Sequence, residues 1–145
     1  MADNPGGSPP DLSVSPAWDE LRGELARDVD RVADRLRGLS QARLAADACP
    51  HASRAEAARA AAQALADASA GLEAGPDPDP PTWRGLPRLD DFAIGDQVAV
   101  TGHDLVAAAA SSAPGDRAWT RDGRRTAHEV LAAAVAALVA LRHAL

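Results

Sequence analysis

The sequence contains no lysine, no tyrosine and a single cysteine, and aromatic side chains make up only 3% of its 145 residues. All fifteen basic residues are arginine. We attribute the missing lysine and tyrosine to a GC-rich genome, so their absence indicates nothing about function. The lone Cys49 excludes an intramolecular disulfide. It fits a reducing compartment, and we therefore expect a cytoplasmic protein.

The charge pattern and the short apolar runs argue against two classes of partner. The net charge is −6, and the basic residues are interspersed with acidic ones rather than gathered in a patch, so we expect no nucleic-acid binding. The first residues contain neither a basic segment nor an apolar core, which argues against a signal peptide. The longest run without a polar side chain, Val130–Leu141, spans twelve residues. Because this run is too short to cross a bilayer, we expect no membrane association.

The motifs that usually reveal an enzyme are missing. The sequence has no glycine-rich phosphate loop, no GxSxG and no HExxH. It also has no CxxC and no Glu-x-x-His pair of the kind that ligates a di-iron centre. We therefore predict no cofactor and favour a protein that is not an enzyme.

The clearest predicted helix begins at Pro16, after an N-cap at Ser15. Its apolar residues recur at steps of three and four, as one face of a helix requires; they are Trp18, Leu21, Leu25, Val29, Val32, Leu36 and Leu39. Charged residues fill the other faces. Opposite charges lie three residues apart in Asp28–Arg31 and Asp34–Arg37, and we interpret these faces as solvated.

The second and fourth predicted helices each follow a capping box, at Ser53 and at Thr126. The second helix runs to Leu72 with a stripe made mostly of alanine, which allows close packing. The fourth helix has almost nothing polar between residues 130 and 141, so it is buried on several sides or meets another chain. Between the first two helices, residues 40–48 are predicted to form a short helical turn with Leu44 pointing inward.

The third predicted helix covers Phe92–Ala110 and should lie centrally, because its apolar arc is wide. Within it, the side chains of residues 97–101 (QVAVT) alternate in type as they do in a β-strand, and glycines flank the segment. A short strand therefore remains an alternative. The alanine-rich run that follows favours the helix.

Two connections complete the predicted fold. Residues 74–91 are proline-rich and extended, with Trp83, Leu86 and Leu89 as anchors. Residues 111–123 form a second loop, anchored by Trp119. After a disordered segment over residues 1–14, we predict a single all-α domain over 15–145. Its architecture is an antiparallel four-helix bundle with the long loop between helices 2 and 3, and the order of the helices stays open.

The first group of candidate site residues contains metal ligands. In an antiparallel bundle, Cys49, His51 and His128 would gather at one end, where thiolate and imidazole could hold Zn²⁺. Their spacing matches no known ligand pattern. The alternative is that His51 is a loop residue and His128 an exposed residue of a first helical turn.

The second group lies in the third predicted helix. Asp96 and His103 are seven residues apart and share a face, with Asp104 beside them. An aspartate near a histidine favours the charged imidazole, and such a pair can act in general acid–base catalysis. The alternative is a polar or exposed side of the bundle.

Two stretches resemble known proteins. The segment LRGLSQARL, Leu36–Leu44, resembles the end of the first helix in DinB-like bundles. That resemblance implies a four-helix bundle with a metal held by three histidines, but no residue here matches those ligands. The stretch GDQVAVTGHDLVAA with its flanks resembles small uncharacterised actinobacterial helical-bundle proteins. That resemblance implies a helical protein and no particular activity.

These observations lead to one expected function and two alternatives. We expect a soluble protein that acts through protein–protein contact, as a homodimer formed through the third and fourth predicted helices, because their apolar faces need cover. The alternatives are a small DinB-like metal-dependent enzyme and a bundle that binds a small ligand in an internal cavity.

Overall fold

The computed structural model describes residues 16–145, and the chain folds mostly into helices with one small two-stranded sheet. The expectations for residues 1–14 and for the Ser15 cap lie outside the described residues. In chain order the elements are α1 Pro16–Arg37, α2 Gln41–Leu44, α3 Arg54–Glu73, a 3₁₀ turn Asp91–Ala93, α4 Ile94–Ala110, β1 Arg117–Thr120, β2 Gly123–Thr126 and α5 Ala127–Ala144. Residues 97–101 are helical, so the strand alternative is excluded.

The helices start and stop where the sequence chemistry predicts. The Ser53 hydroxyl accepts a hydrogen bond from the Glu56 N–H, and the Thr126 hydroxyl accepts one from the Glu129 N–H. Each cap satisfies a backbone donor that the helix leaves open. The short α2 is capped by Ser40 and buries Leu44, as expected. The apolar stripe of α1 faces the core throughout, with Leu21 only partly buried.

Four long helices surround this core, with α1 and α3 at two opposite corners and α4 and α5 at the other two. α1 and α5 run parallel. Near their N-terminal ends the Trp18 and His128 rings lie 6.4 Å apart, and near their C-terminal ends Arg35 Nη2 donates to the Leu145 carbonyl at 3.1 Å.

The other helix directions follow from similar contacts. α4 runs antiparallel to α1, because Gly95 near its start packs on Ala33 and Gly102 further along packs on Val29. α3 runs antiparallel to α5, because Arg54 Nε at its start donates to the Ala144 carbonyl at 3.1 Å. The neighbours α3 and α4 are therefore parallel. The predicted antiparallel arrangement holds for only two of the four neighbouring pairs.

A proline-rich crossover makes the parallel pairs feasible, because residues 74–90 return the chain from the end of α3 to the starting end of the bundle. Leu86 packs against the core, and its N–H donates to Gln63 of α3 at 2.9 Å. Trp83 lies under the Arg121 guanidinium, 5.3 Å from it. Leu89, by contrast, is 41% exposed and is not an anchor. The carbonyl oxygen of Leu89, and not its side chain, holds this part of the segment, because it accepts a hydrogen bond from Arg59.

A β-hairpin replaces most of the loop predicted over residues 111–123. β1 and β2 pair antiparallel, and Gly123 supplies a positive φ of 121° beside the turn. β1 lies on the last turns of α3, where Gly71 and Gly75 leave room for its backbone carbonyls. Trp119 is an anchor as predicted, since its indole N–H donates to the Asp77 carbonyl at 3.1 Å.

Candidate functional site

The most apolar helix, α5, is only partly covered by the rest of the protein. One side faces the core through the residues Ala127, Val130, Leu131, Ala134, Val135, Leu138 and Leu141. Among the described residues, α5 is the one helix long and apolar enough to span a membrane, with a mean hydropathy of 1.3 over 18 residues. Core helices of soluble proteins also meet that criterion. Of the residues of α5, 39% are buried, and its exposed apolar residues are Ala133, Ala136 and Ala140.

The outward side of α5 carries a stripe of small residues between two titratable ones. We define the α5 stripe as Glu129, Ala133, Ala136, Ala140 and His143, all of which are exposed. The steps along this stripe are four, three, four and three, so its members share one face of the helix. Alanine side chains there present apolar surface and allow a neighbouring backbone to approach closely.

A shallow groove between α3 and α5 borders the stripe. It has a volume of about 330 Å³ and contains no Asp, Glu or Arg. Its lining residues are Ala48, Cys49, Pro50, His51, Ala57, Ala60, Ala61, Ala64, Ala137, Ala140, Leu141 and Ala144. Ala60 and Ala64 of α3 are exposed. The stripe and the groove therefore form one continuous surface of small side chains along two helices.

A second, polar pocket of about 330 Å³ lies on the other side of α3, under the proline-rich segment. Its polar lining residues are His51, Glu56, Arg59, Gln63, Arg88 and Gln97. Arg59 donates to Glu56 at 3.1 Å and to Asp91 at 2.6 Å, while its buried Nε has no hydrogen-bond partner among the described residues.

The charged groups that line this pocket are two arginines and one glutamate, Arg59, Arg88 and Glu56. The Arg88 guanidinium donates a hydrogen bond to Glu56, which holds the pKa of Glu56 below its ordinary value, and the nearby charge of Arg59 acts in the same direction. No motif in the sequence predicted this pocket. Glu56, Arg59 and Gln63 follow one another at steps of three and four, and that spacing was the available signal for a polar face on α3.

The predicted metal ligands do not come together. Cys49 and His51 lie beside Ala144, near the end of α5, whereas His128 lies at its beginning beside Trp18. About 24 Å of helix separates the two places at 1.5 Å per residue. The crossover causes this separation, because it puts the start of α5 at the opposite end of the bundle. Over residues 16–145 no group of three or more potential ligands is found.

The predicted catalytic residues pair with α1 rather than with one another. Asp96 forms an ion pair with Arg37 at 2.7 Å, which raises the pKa of Arg37. His103 Nε2 lies 2.9 Å from Asp30. Asp104 lines a separate groove between α3 and α4. Asp96 and His103 are exposed, so these contacts are surface links between two helices.

Comparison with known proteins adds no relative to this picture. The chain matches no protein-family model, no curated protein and no solved structure at a significant level.

Proposed function

We propose that the chain is a cytoplasmic four-helix-bundle protein that acts through protein–protein contact, and that it forms a homodimer through α5. The observation that supports this proposal is the row of exposed alanines on the most apolar helix, Ala133, Ala136 and Ala140, which borders a groove without Asp, Glu or Arg. Contiguous exposed apolar side chains on a protein surface often mark an interface.

The chemistry of the helix surfaces favours α5 with α3 as the dimer surface, rather than α5 with α4. α4 and α5 occupy opposite corners of the bundle, so they do not share one face. The outer side of α4 bears Asp96, His103 and Asp104, which would have to be desolvated in an interface. The alanines of α5 and α3 have no such cost, and their burial contributes about 25 cal/mol per Å². Glu129 and His143, at the two ends of the α5 stripe, are the polar groups of this surface that would need partners in the dimer.

Native mass spectrometry and sedimentation velocity of Ala136→Glu test this proposal. The wild-type protein should be a dimer, and Ala136→Glu should shift it to a monomer, because two carboxylates would be buried in the interface. Ala107→Glu is the matched control, since Ala107 is an exposed alanine on α4, and it should remain dimeric. A wild-type monomer at all concentrations would refute the proposal.

The same spectrometry with added Zn²⁺ tests the DinB-like alternative. A metal-dependent enzyme of that type should take up one metal per chain and lose it in His128→Ala. A dimer whose mass does not change on adding Zn²⁺ would count against the DinB-like alternative and in favour of self-association.

Small-ligand binding is the second candidate, and the polar pocket favours it. The unpartnered Nε of Arg59 is a buried donor, and buried donors normally have an acceptor. A small carboxylate would supply one, with Arg88 as a second positive group. Isothermal titration with succinate and citrate tests this candidate. Binding that disappears in Arg59→Met but survives in Arg43→Met, an exposed arginine on α2, would support it, and no heat with either anion would count against it.

A further inference from the structure

We propose that two copies of this chain pack their α5 helices antiparallel, around a two-fold axis that passes beside Ala136. This inference rests on the proposed self-association and specifies its geometry. Ala136 lies at the middle of the α5 stripe, with Ala133 and Ala140 on either side. Small residues at steps of three and four allow two helices to interlock at close range.

The polar side chains at the two ends of the α5 stripe, Glu129 and His143, favour an antiparallel orientation of the two helices. Glu129 and His143 each lie seven residues from Ala136, in opposite directions. A two-fold axis at Ala136 therefore places Glu129 level with His143 of the partner subunit, and it does so twice. A parallel pair would instead place Glu129 against its own copy and His143 against its own copy. A Glu129 carboxylate can accept a hydrogen bond from the imidazole N–H of the opposite chain, whereas two Glu129 carboxylates placed together repel, so the first arrangement is favoured and the second disfavoured.

The neighbouring side chains leave this pairing available. His143 has no ion-pair partner in the described part of the chain, whereas the adjacent Arg142 is engaged with Asp28 at 3.2 Å. Glu129 has only a loose contact with Arg125, at 3.8 Å between exposed groups. Ala60 and Ala64 of α3 are exposed small side chains beside the middle of the stripe. Near Glu129 the stripe is bordered instead by Asp67, Arg121 and Arg125.

Disulfide trapping tests the position of the axis. In a Cys49→Ser background, which removes the native cysteine, Ala136→Cys should form a disulfide-linked dimer under mild oxidation, because its two copies meet at the axis. Ala133→Cys is the matched control. Its two copies would lie about 9 Å apart along the helices, beyond the reach of a disulfide, so it should stay largely uncrosslinked.

The possible results distinguish a wrong position of the two-fold axis from the absence of a dimer. If Cys49→Ser is a dimer and Ala136→Cys does not crosslink, or Ala133→Cys crosslinks as well, the proposed axis is wrong and self-association stands. If Cys49→Ser is a monomer, both proposals fail. A monomer that co-sediments with phosphatidylglycerol vesicles, and loses this in Ala136→Glu, would assign the stripe to a membrane surface and overturn both.

A charge reversal tests the pairing of Glu129 with His143. His143→Glu would place two carboxylates together at each end of the interface, and it should raise the dimer dissociation constant roughly fivefold to tenfold. Adding Glu129→Arg should restore most of the affinity. Ala107→Glu adds a carboxylate on α4, away from α5, and should leave the constant unchanged. Equal effects of His143→Glu and Ala107→Glu, or no rescue, would refute the pairing.

Discussion

Asp28 is the only charged residue among the described ones that the bundle buries. Its spacing to Arg31 predicted a solvated pair, yet Asp28 is 4% exposed and faces α5, where Arg142 lies 3.2 Å away. Arg31, at 3.7 Å, is mostly exposed. The position of α5 decides which side of α1 is covered, and no local pattern in α1 reveals that position.

The two arginines near Asp28 should differ in their effect on stability. Arg142→Met leaves the buried carboxylate without its closer partner, so the free energy of unfolding should fall by about 1–3 kcal/mol. Arg31→Met removes an exposed group and should change it by less than about 0.5 kcal/mol. Urea denaturation followed by circular dichroism measures both values. Equal losses in the free energy of unfolding would show that the contact of Asp28 with Arg142 stabilises the fold no more than its contact with Arg31.

Glu56 should make stability depend on pH in a defined direction. Its pKa is lowered mainly by the hydrogen bond from Arg88, so the folded state favours the ionised carboxylate. This contribution is complete at a pH above the ordinary glutamate pKa and is lost as the pH falls through the lowered pKa of the folded state. Glu56→Gln should therefore be less stable than wild type at pH 7, and the difference should vanish in acid. Thermal melts from pH 7 to pH 2 test this, and a constant difference would contradict it.

At the scale of elements, glycines determine how closely the hairpin and α3 can pack. A Cβ on Gly71 would lie 1.9 Å from the Trp119 carbonyl oxygen, and one on Gly75 would lie 2.0 Å from that of Arg117. Both obstacles are backbone atoms, so no side-chain rotation relieves them. The hairpin can therefore pack this closely only because Gly71, in the last turn of α3, and Gly75, just after its end, have no side chains.

Gly71→Ala should separate the hairpin from α3. We expect a loss of about 2–3 kcal/mol in the free energy of unfolding, or release of the hairpin, because overpacking against fixed backbone is costly. Hydrogen exchange of the β1 and β2 amides distinguishes the two outcomes. Gly85→Ala has open space around it and serves as the control. A Gly71→Ala protein with wild-type stability and protection would show that the contact is dispensable.

Local sequence patterns predict the helices well and the hairpin poorly. Steps of three and four, with Ser53 and Thr126 as caps, were sufficient to place three of the long helices within a few residues. β1 and β2 are only four residues each, which is too short for alternation to be read reliably. The Asp122–Gly123 pair was the available hairpin signal, and the neighbouring Pro114–Gly115 turn obscured it.

At the scale of the whole molecule, helix direction was the property that local patterns could not predict. Residues 74–90 are long enough to connect α3 to either end of α4, so both topologies satisfied the same stripes. The metal hypothesis for Cys49, His51 and His128 required an up-down-up-down order of the helices. In the observed order α4 begins at the end of the bundle where Cys49 and His51 lie, so α5 and His128 begin at the opposite end. A candidate interface on α5 was predicted, because almost nothing polar lies between residues 130 and 141 whatever the topology.

The length of the crossover should therefore be essential while its detailed composition is not. α3 is 20 residues long, so α4 starts about 30 Å from where α3 ends. Replacing residues 76–90 by Gly-Ser-Gly-Ser leaves a connection of six residues, which spans at most about 22 Å, and the native bundle should not form. Replacing residues 78–82 by five Gly and Ser residues keeps the reach and should keep the fold, with a lower melting temperature because a flexible segment loses more entropy on folding. Circular dichroism melts and dispersion of amide resonances compare the two variants. A cooperative, native-like melt of the shortened chain would show that α4 can pack in the reverse direction and that the crossover does not determine the topology.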